Sequence, residues 1–191
     1  MTQPTGTDRP TAVLKAEHQI ILRVIGVLSR LVARHEDGDG FETGALARCV
    51  GFFRLFADAC HHAKEEDLLF PALESRGIPR DGGPIGMMLY EHTLARQYTR
   101  EMGDALEGVE RGDTEATKAF TAAAHRYAEL LQNHIYKEDN VLFNMGDQVM
   151  TDADQETLCS RFCAVGCRSF GGKTREELEH IADELEAEWP A

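Results

Sequence analysis

A ten-residue string occurs twice in this chain, as His61-His-Ala-Lys-Glu65-Glu-Asp-Leu-Leu-Phe70 and as His134-Ile-Tyr-Lys-Glu138-Asp-Asn-Val-Leu-Phe143. A weaker correspondence joins Leu14-Lys-Ala-Glu17-His18 to Met88-Leu-Tyr-Glu91-His92. His92 follows His18 by 74 residues and His134 follows His61 by 73. One offset shared by two separate pairs of segments restricts the fold: the chain should consist of two similar hairpins related by an approximate two-fold axis.

The hairpins should be helical. Leu14, Ile21, Ile25, Leu28 and Val32 carry the three-and-four spacing of an amphipathic helix over about Thr11 to His35, stopped by Asp37-Gly-Asp-Gly40. The same periodicity predicts helices from about Thr43 to Ser75, Ile85 to Arg111 and Thr114 to Val149. Gly77, Pro79, Gly82, Gly83 and Pro84 break the chain after the second, and Asp113 is placed to cap the fourth. No segment alternates as a strand would. The expectation is an all-α protein: a flexible N-terminal tail over residues 1–10, an antiparallel up-down-up-down four-helix bundle over 11–149, and a short helical C-terminal extension over 150–191. Within the extension, helices should run from about Asp152 to Val165 and from Arg175 to Trp189, the latter behind a Thr174-Arg-Glu-Glu177 capping box.

Composition bounds the partners. With 191 residues, 42% of them hydrophobic, there is enough apolar material for one sizeable core. The net charge of −13 repels phosphate backbones and anionic headgroups, so neither nucleic acid nor a membrane surface is an expected partner. No run approaches the roughly 18 apolar residues of a membrane span, and no signal-peptide core opens the chain, so a cytoplasmic location is expected. Five cysteines without CxxC pairing then predict no disulfide framework.

Within the repeat, His-x-x-x-Glu puts an imidazole and a carboxylate one helical turn apart on one face, where both can reach a common metal. Each hairpin thereby offers two histidines and a glutamate, and the candidate metal ligands are His18, His61, Glu65, His92, His134 and Glu138. Axial position agrees. Counted from the predicted helix ends, the four histidines lie at one level, roughly 26 to 30 Å from the connecting loops at about 1.5 Å per residue. Imidazoles suit iron, zinc and copper, carboxylates can bridge two ions, and two divalent cations make a pair of buried carboxylates tolerable. Iron is preferred.

These residues resemble the hemerythrin-like, or HHE cation-binding, family over about residues 10–148, through Glu17-His18, His61-x-x-Lys-Glu65-Glu, Glu91-His92 and His134-x-x-Lys-Glu138-Asp. The resemblance implies a four-helix bundle holding two iron ions, a non-haem di-iron centre with an oxo or hydroxo bridge and with Glu65 and Glu138 as bridging carboxylates. The family's oxygen carriers have a second histidine one turn after the third-helix histidine, where this chain has Arg96. The ligand count is therefore closer to that of iron-sulfur repair, iron-sensing and nitric-oxide-responsive members. The resulting expectation is a protein that binds or reacts with oxygen, nitric oxide or peroxide in sensing, detoxification or iron handling. Two alternatives are a peroxide-decomposing or oxidase enzyme and an iron storage or sensing module with a protein partner for its acidic tail. A ferritin-like oxidase is disfavoured, because such a site needs two Glu-x-x-His pairs and the chain has only Glu177-Leu-Glu-His180.

Several residues admit plainer readings. His62 and Glu66 are also four apart, but the repeat sets His62 opposite Ile135, so His61 and Glu65 are preferred. Glu17, Glu91, Glu66 and Asp139 read as solvated groups or as acceptors behind the ligands, though Asp139 or Glu66 would bind if the helices were rotated differently. Tyr90, Tyr98, Tyr127 and Tyr136 read as packing, with Tyr127 the one placed to line a pocket. Cys60 adjoins His61, where it could tune the site. His35, His125 and His180 are expected to be exposed. Cys159, Cys163 and Cys167 read as small-residue packing of the tail, with a redox-sensing stripe as the alternative.

Overall fold

The computed structural model describes residues 9–190, and they are helical almost throughout. Helix α1 is Pro10–Glu36, opened by proline at its first position, where a missing N–H costs nothing. A continuous rod, α2, covers 43–75, and α3 is Pro84–Glu110. A second long rod, α4, covers 114–149 and is capped by Asp113, whose side chain accepts from the Glu115 and Ala116 amides. Two shorter helices follow, α5 (Asp152–Gly166) and α6 (Arg175–Glu188). Both open with capping boxes, Thr174 with Glu177 as expected and Thr151 with Asp154 in addition. The predicted ends differ by a residue or two, as fraying helix termini do. Of the expected N-terminal tail, residues 1–8 lie outside the described residues, while Pro10 is already helical.

The four long helices form a ring. α1 packs on α2, α2 on α3, α3 on α4, and α4 closes on α1. Cross-helix contacts give the directions. Thr11 bonds Asp147, His18 bonds Asp139 and Glu36 bonds His125, so α1 and α4 run antiparallel. Arg96 on Asp58 with Gly103 against Val50 does the same for α2 and α3, as does Glu91 on His134 with Arg126 on Glu101 for α3 and α4. Each turn must reverse the chain within a few residues. Gly112, at φ +74°, takes the left-handed conformation that ends α3 and that residues with a Cβ avoid.

The two rods are not uniform α-helix. In α2, Phe53–His62 and Glu65–Leu69 are wound as π-helix, and in α4 Glu138–Leu142 is. The wide turns at Glu65–Leu69 and Glu138–Leu142 occupy equivalent positions of the repeat. The longer run Phe53–His62 has no equivalent, since its counterpart in α4 lies within the ordinary α-helix Thr114–Lys137.

The extension covers the bundle. α6 lies over α1 and α2 and buries Leu178, Ala182 and Leu185, while α5 buries Leu158, Phe162 and Val165 against α1 and the Glu65–Leu69 turn. Two of the three tail cysteines stay out of this packing, while Cys159 is half-buried. Cys163 and Cys167 are exposed, because the apolar stripe of α5 is carried by its larger side chains, which corrects the small-residue packing expected of them. Among the described residues no helix is long and apolar enough to cross a membrane.

Candidate metal centre

All six predicted ligands are buried and meet at one level of the bundle. His18 and Glu138 are fully enclosed, as are His92 and Glu65, and His61 and His134 are 1% exposed. His18 Nε2 lies 3.2 Å from Glu138 Oε2 and 4.0 Å from Glu65 Oε1, while His61 Nε2 lies 3.4 Å from Glu65 Oε1. On the other side, His92 Nε2 lies 3.4 Å from Glu65 Oε2 and His134 Nε2 lies 3.3 Å from Glu138 Oε2. Glu65 therefore offers one oxygen to each half, and Glu138 faces His18 from one half and His134 from the other. Both carboxylates span two positions.

Behind the ligands, every Nδ1 of the four predicted histidines meets a carboxylate. His18 pairs with Asp139 at 2.8 Å, His61 with Glu17 at 2.9 Å, His92 with Glu66 at 2.7 Å and His134 with Glu91 at 2.9 Å. An ionised carboxylate only accepts, so in a neutral imidazole Nδ1 carries the proton and Nε2 is left to present a lone pair to the interior. Carboxylates in this position fix the tautomer and aim of metal-binding imidazoles. The repeat's lysines serve the same groups: Lys64 bonds Glu17, and Lys137 bonds Glu91. Glu17, Glu91, Glu66 and Asp139 thus accept from the outward nitrogens of the four histidines, the place the plainer reading gave them.

The donor set fits cations. Both oxygens of Glu65, both of Glu138 and Nε2 of His18 are buried without a hydrogen-bond partner. His92 Nε2 and His134 Nε2 lie 3.1 Å apart, a distance that needs either a proton on one of them or a cation that both can face. Buried polar atoms are normally satisfied, so such a cluster of orphans requires an explanation, and a metal ion supplies it. Two groups have donor atoms close enough to share an ion: His18, His61, Glu65 and Glu138, and His62, Glu65, His92 and His134.

The metal-free electrostatics agree. Burial disfavours charge on Glu17, yet Lys64, the His61 bond and Arg175 outweigh it and hold the carboxyl at about 2. Burial likewise opposes protonation of His61 and His134, but Glu65 and Glu17 raise the first to about 9, and Glu138 and Glu91 raise the second to about 10. Burial and the neighbouring Glu138 charge push Glu65 up. Without metal, protons on imidazoles supply the positive charge that this site demands. His62 behaves differently: burial, with His61 and His134 nearby, lowers it to about 4 against the opposing pull of Asp58.

Residues 9–145 match the family described as Hemerythrin HHE cation binding domain. The chain belongs to that family. A stretch of 85 residues, 44% of the chain, is 33% identical to the iron-sulfur cluster repair protein YtfE of Dickeya chrysanthemi. Over 158 residues, 83% of the chain, it is 23% identical to uncharacterized proteins of Mycobacterium bovis and Mycobacterium tuberculosis. The matched regions span 38% of the Dickeya protein's length and 61% of the mycobacterial ones. The hemerythrin match covers the helices that carry all six predicted ligands, and the extension lies beyond it.

Outside those six, the structure separates several of the open readings. His61 and His62 are not exclusive, because both are buried at the site. Arg96 bonds Asp58 at 2.7 Å and Glu66 at 2.8 Å. Tyr127 is buried and lines a cavity of about 480 Å³ between α2 and α3, together with Asp58, His62, Arg96 and Thr99. Tyr90 and Tyr136 are exposed, and Tyr98 is covered by the Arg126 guanidinium. Cys60 is buried against Lys64 Nζ at 3.4 Å, behind the imidazole cluster, and burial pushes its thiol up. His125 and His180 are exposed as expected, whereas His35 is half-buried because it stacks on Phe41 at 3.8 Å.

Proposed function

We propose that this hemerythrin-family chain is a non-haem di-iron protein that binds or reacts with a small ligand, oxygen, nitric oxide or peroxide, in sensing, detoxification or iron handling. The observation that carries this reading is the pair of fully buried carboxylates, Glu65 and Glu138, each facing imidazoles of both halves and neither hydrogen-bonded. Two divalent ions are the simplest occupant that satisfies four carboxylate oxygens and the inward-facing imidazoles together. Iron, when bound, supplies redox chemistry and coordination positions open to a diatomic molecule or peroxide.

The protein's own part is to hold that chemistry still and choose what reaches it. Glu65 and Glu138 would bridge the ions and offset their charge. Asp139, Glu17, Glu66 and Glu91 lock the imidazoles by their Nδ1 protons. Ile21, Ile25, Leu131 and Ile135 are buried, and they keep water from the α1–α4 side. On the α2–α3 side the cavity reaches His62 and would admit only a small molecule. The family supports metal binding, and the similarity to an iron-sulfur cluster repair protein favours a role in iron handling over oxygen carriage.

Metal analysis of freshly purified protein tests the reading directly. About two irons per chain are expected, with ligand-to-metal absorption that changes on adding azide or nitric oxide. Metal-free protein that takes up no iron, and whose His61→Ala and His134→Ala variants keep full stability, overturns it. Multiple-turnover loss of hydrogen peroxide, abolished in Glu138→Ala, would favour the peroxide-decomposing alternative, and a single stoichiometric reaction would count against it.

A further inference from the structure

The two-fold relation that builds the site fails at one place. Applying the repeat offsets, Asp58 and His62 of α2 correspond to Leu131 and Ile135 of α4, and Arg96 of α3 corresponds to Leu22 of α1. One half therefore has a carboxylate, an imidazole and a guanidinium where the other has three aliphatic side chains. The backbone breaks symmetry at the same point, since the π-helical run Phe53–His62 ends on His62 and its counterpart is α-helical. Space does so as well: the cavity reaching His62 lies on the α2–α3 side. Extended π winding is unusual and concentrates at functional positions. Here it accompanies the burial of consecutive imidazoles, His61 and His62, at one site.

His62 is only 2% exposed, and both its ring nitrogens lack a hydrogen-bond partner. Asp58 Oδ1 lies 3.5 Å from Nδ1, on the side occupied in the other four histidines by an orienting carboxylate. The His62 ring stacks on His92, with centroids 3.8 Å apart and planes 16° from parallel, and one of its nitrogens falls within ligand-sharing distance of Glu65, His92 and His134. An imidazole this buried normally finds a partner. Among the described residues none hydrogen-bonds either nitrogen, and Asp58 comes only to 3.5 Å of Nδ1.

We propose that His62 is a metal ligand, a third imidazole for the position formed by Glu65, His92 and His134. The two metal positions are then unequal. One has His18 and His61, the other has His62, His92 and His134, and both share the carboxylates. Asp58 orients His62 and is itself held by Arg96, so the arginine's place one turn after His92 is matched by an imidazole delivered from α2. The position with three imidazoles is the one beside the cavity, and ligands from solvent would meet it first. This inference rests on the two-metal reading above, and its test separates the two.

Cobalt(II) is the probe, added to metal-free full-length protein with the histidine rings isotopically labelled. Binding of two equivalents with five imidazole rings shifted by direct contact with the paramagnetic ions, as only coordinated rings are, is the expected result, and shifted rings below are counted by that criterion. His62→Gln should remove one shifted ring and weaken one equivalent by roughly 10- to 100-fold, leaving the other equivalent and the far-ultraviolet dichroism unchanged. His62→Ile, which copies the residue of the other hairpin, should behave alike. Two bound equivalents with only four shifted rings in the unaltered protein overturn the assignment of His62 alone, whether or not the variants fold. Unchanged affinities for both equivalents in a folded His62→Gln protein overturn it equally. Failure of the unaltered protein to bind cobalt overturns the metal centre itself.

Discussion

Residue by residue, the site is organised by protons as much as by metal ligands. Glu17 shows what this costs when one member is changed. Its carboxylate is fully enclosed and bonded by His61 and by Lys64, itself 1% exposed. Because the folded value, about 2, lies below the ordinary 4.5, the group stabilises the native state fully above about pH 4.5. That contribution, on the order of 3 kcal/mol, is lost as pH falls from about 4.5 towards 2. Glu17→Gln leaves the Lys64 ammonium buried without its counter-charge, and should lower the stability of metal-free protein at pH 7 by about 3–5 kcal/mol. Urea unfolding of both proteins across pH 2 to 7 checks this: the difference should shrink as the solution becomes acid. A constant difference would place the stabilisation elsewhere. The cluster of four histidines and two glutamates is legible in the sequence because a repeat and a helical spacing suffice to find it. Their carboxylate partners are less so, since Asp139 reaches His18 and Glu66 reaches His92 only across helices, which no spacing reports. His62 falls between, visible as a neighbour of His61 but unmarked by the repeat, which reports what the two hairpins share and not where they differ.

At the level of elements, the pattern of apolar residues predicts four rods and misses how they are wound. The apolar residues buried along Phe53–His62 are Phe53, Phe56, Ala57 and Cys60, an α-helical spacing, so the periodicity that defines 43–75 as one helix does not reveal Phe53–His62 or Glu65–Leu69 as wide turns. Yet Glu65 and Glu138 each open such a turn, which places backbone of unusual winding beside each of the two candidate bridging carboxylates. Metal should therefore stabilise these turns more than the rest. Chelation is expected to speed amide exchange over residues 61–69 and 134–142, while residues 120–128 and 24–32, in ordinary α-helix, change little. Restoring metal at about a thousandfold above its dissociation constant should return roughly 4 kcal/mol of stability. Exchange followed by mass spectrometry decides the matter, and uniform protection across all four rods would show that the turns are not special.

For the whole molecule, the extension is the part whose docking a hydrophobic pattern leaves open. Helix propensity and capping identified α5 and α6, but nothing local says that α6 lies over α1 and α2, or that Arg175 reaches to 3.5 Å of Glu17. What fixes the docking is a combination of apolar burial and charge. Leu178, Ala182 and Leu185 are fully enclosed, flanked by pairs from Arg23 to Asp183 and Glu186 and from Arg48 to Glu184 and Glu188. Magnitudes separate the two contributions. Those pairs are partly exposed, and each is worth at most about 1 kcal/mol, whereas emptying a buried leucine site costs about 2–5 kcal/mol. Leu178→Ala should therefore destabilise the protein several times more than Arg48→Ala, as measured by urea midpoints at constant slope. Metal stoichiometry should be unchanged in both variants, because every proposed ligand and every carboxylate behind it lies between Glu17 and Asp139, within the bundle. Loss of metal in Leu178→Ala would instead make the extension part of the centre, acting through Arg175 and Glu17 on His61.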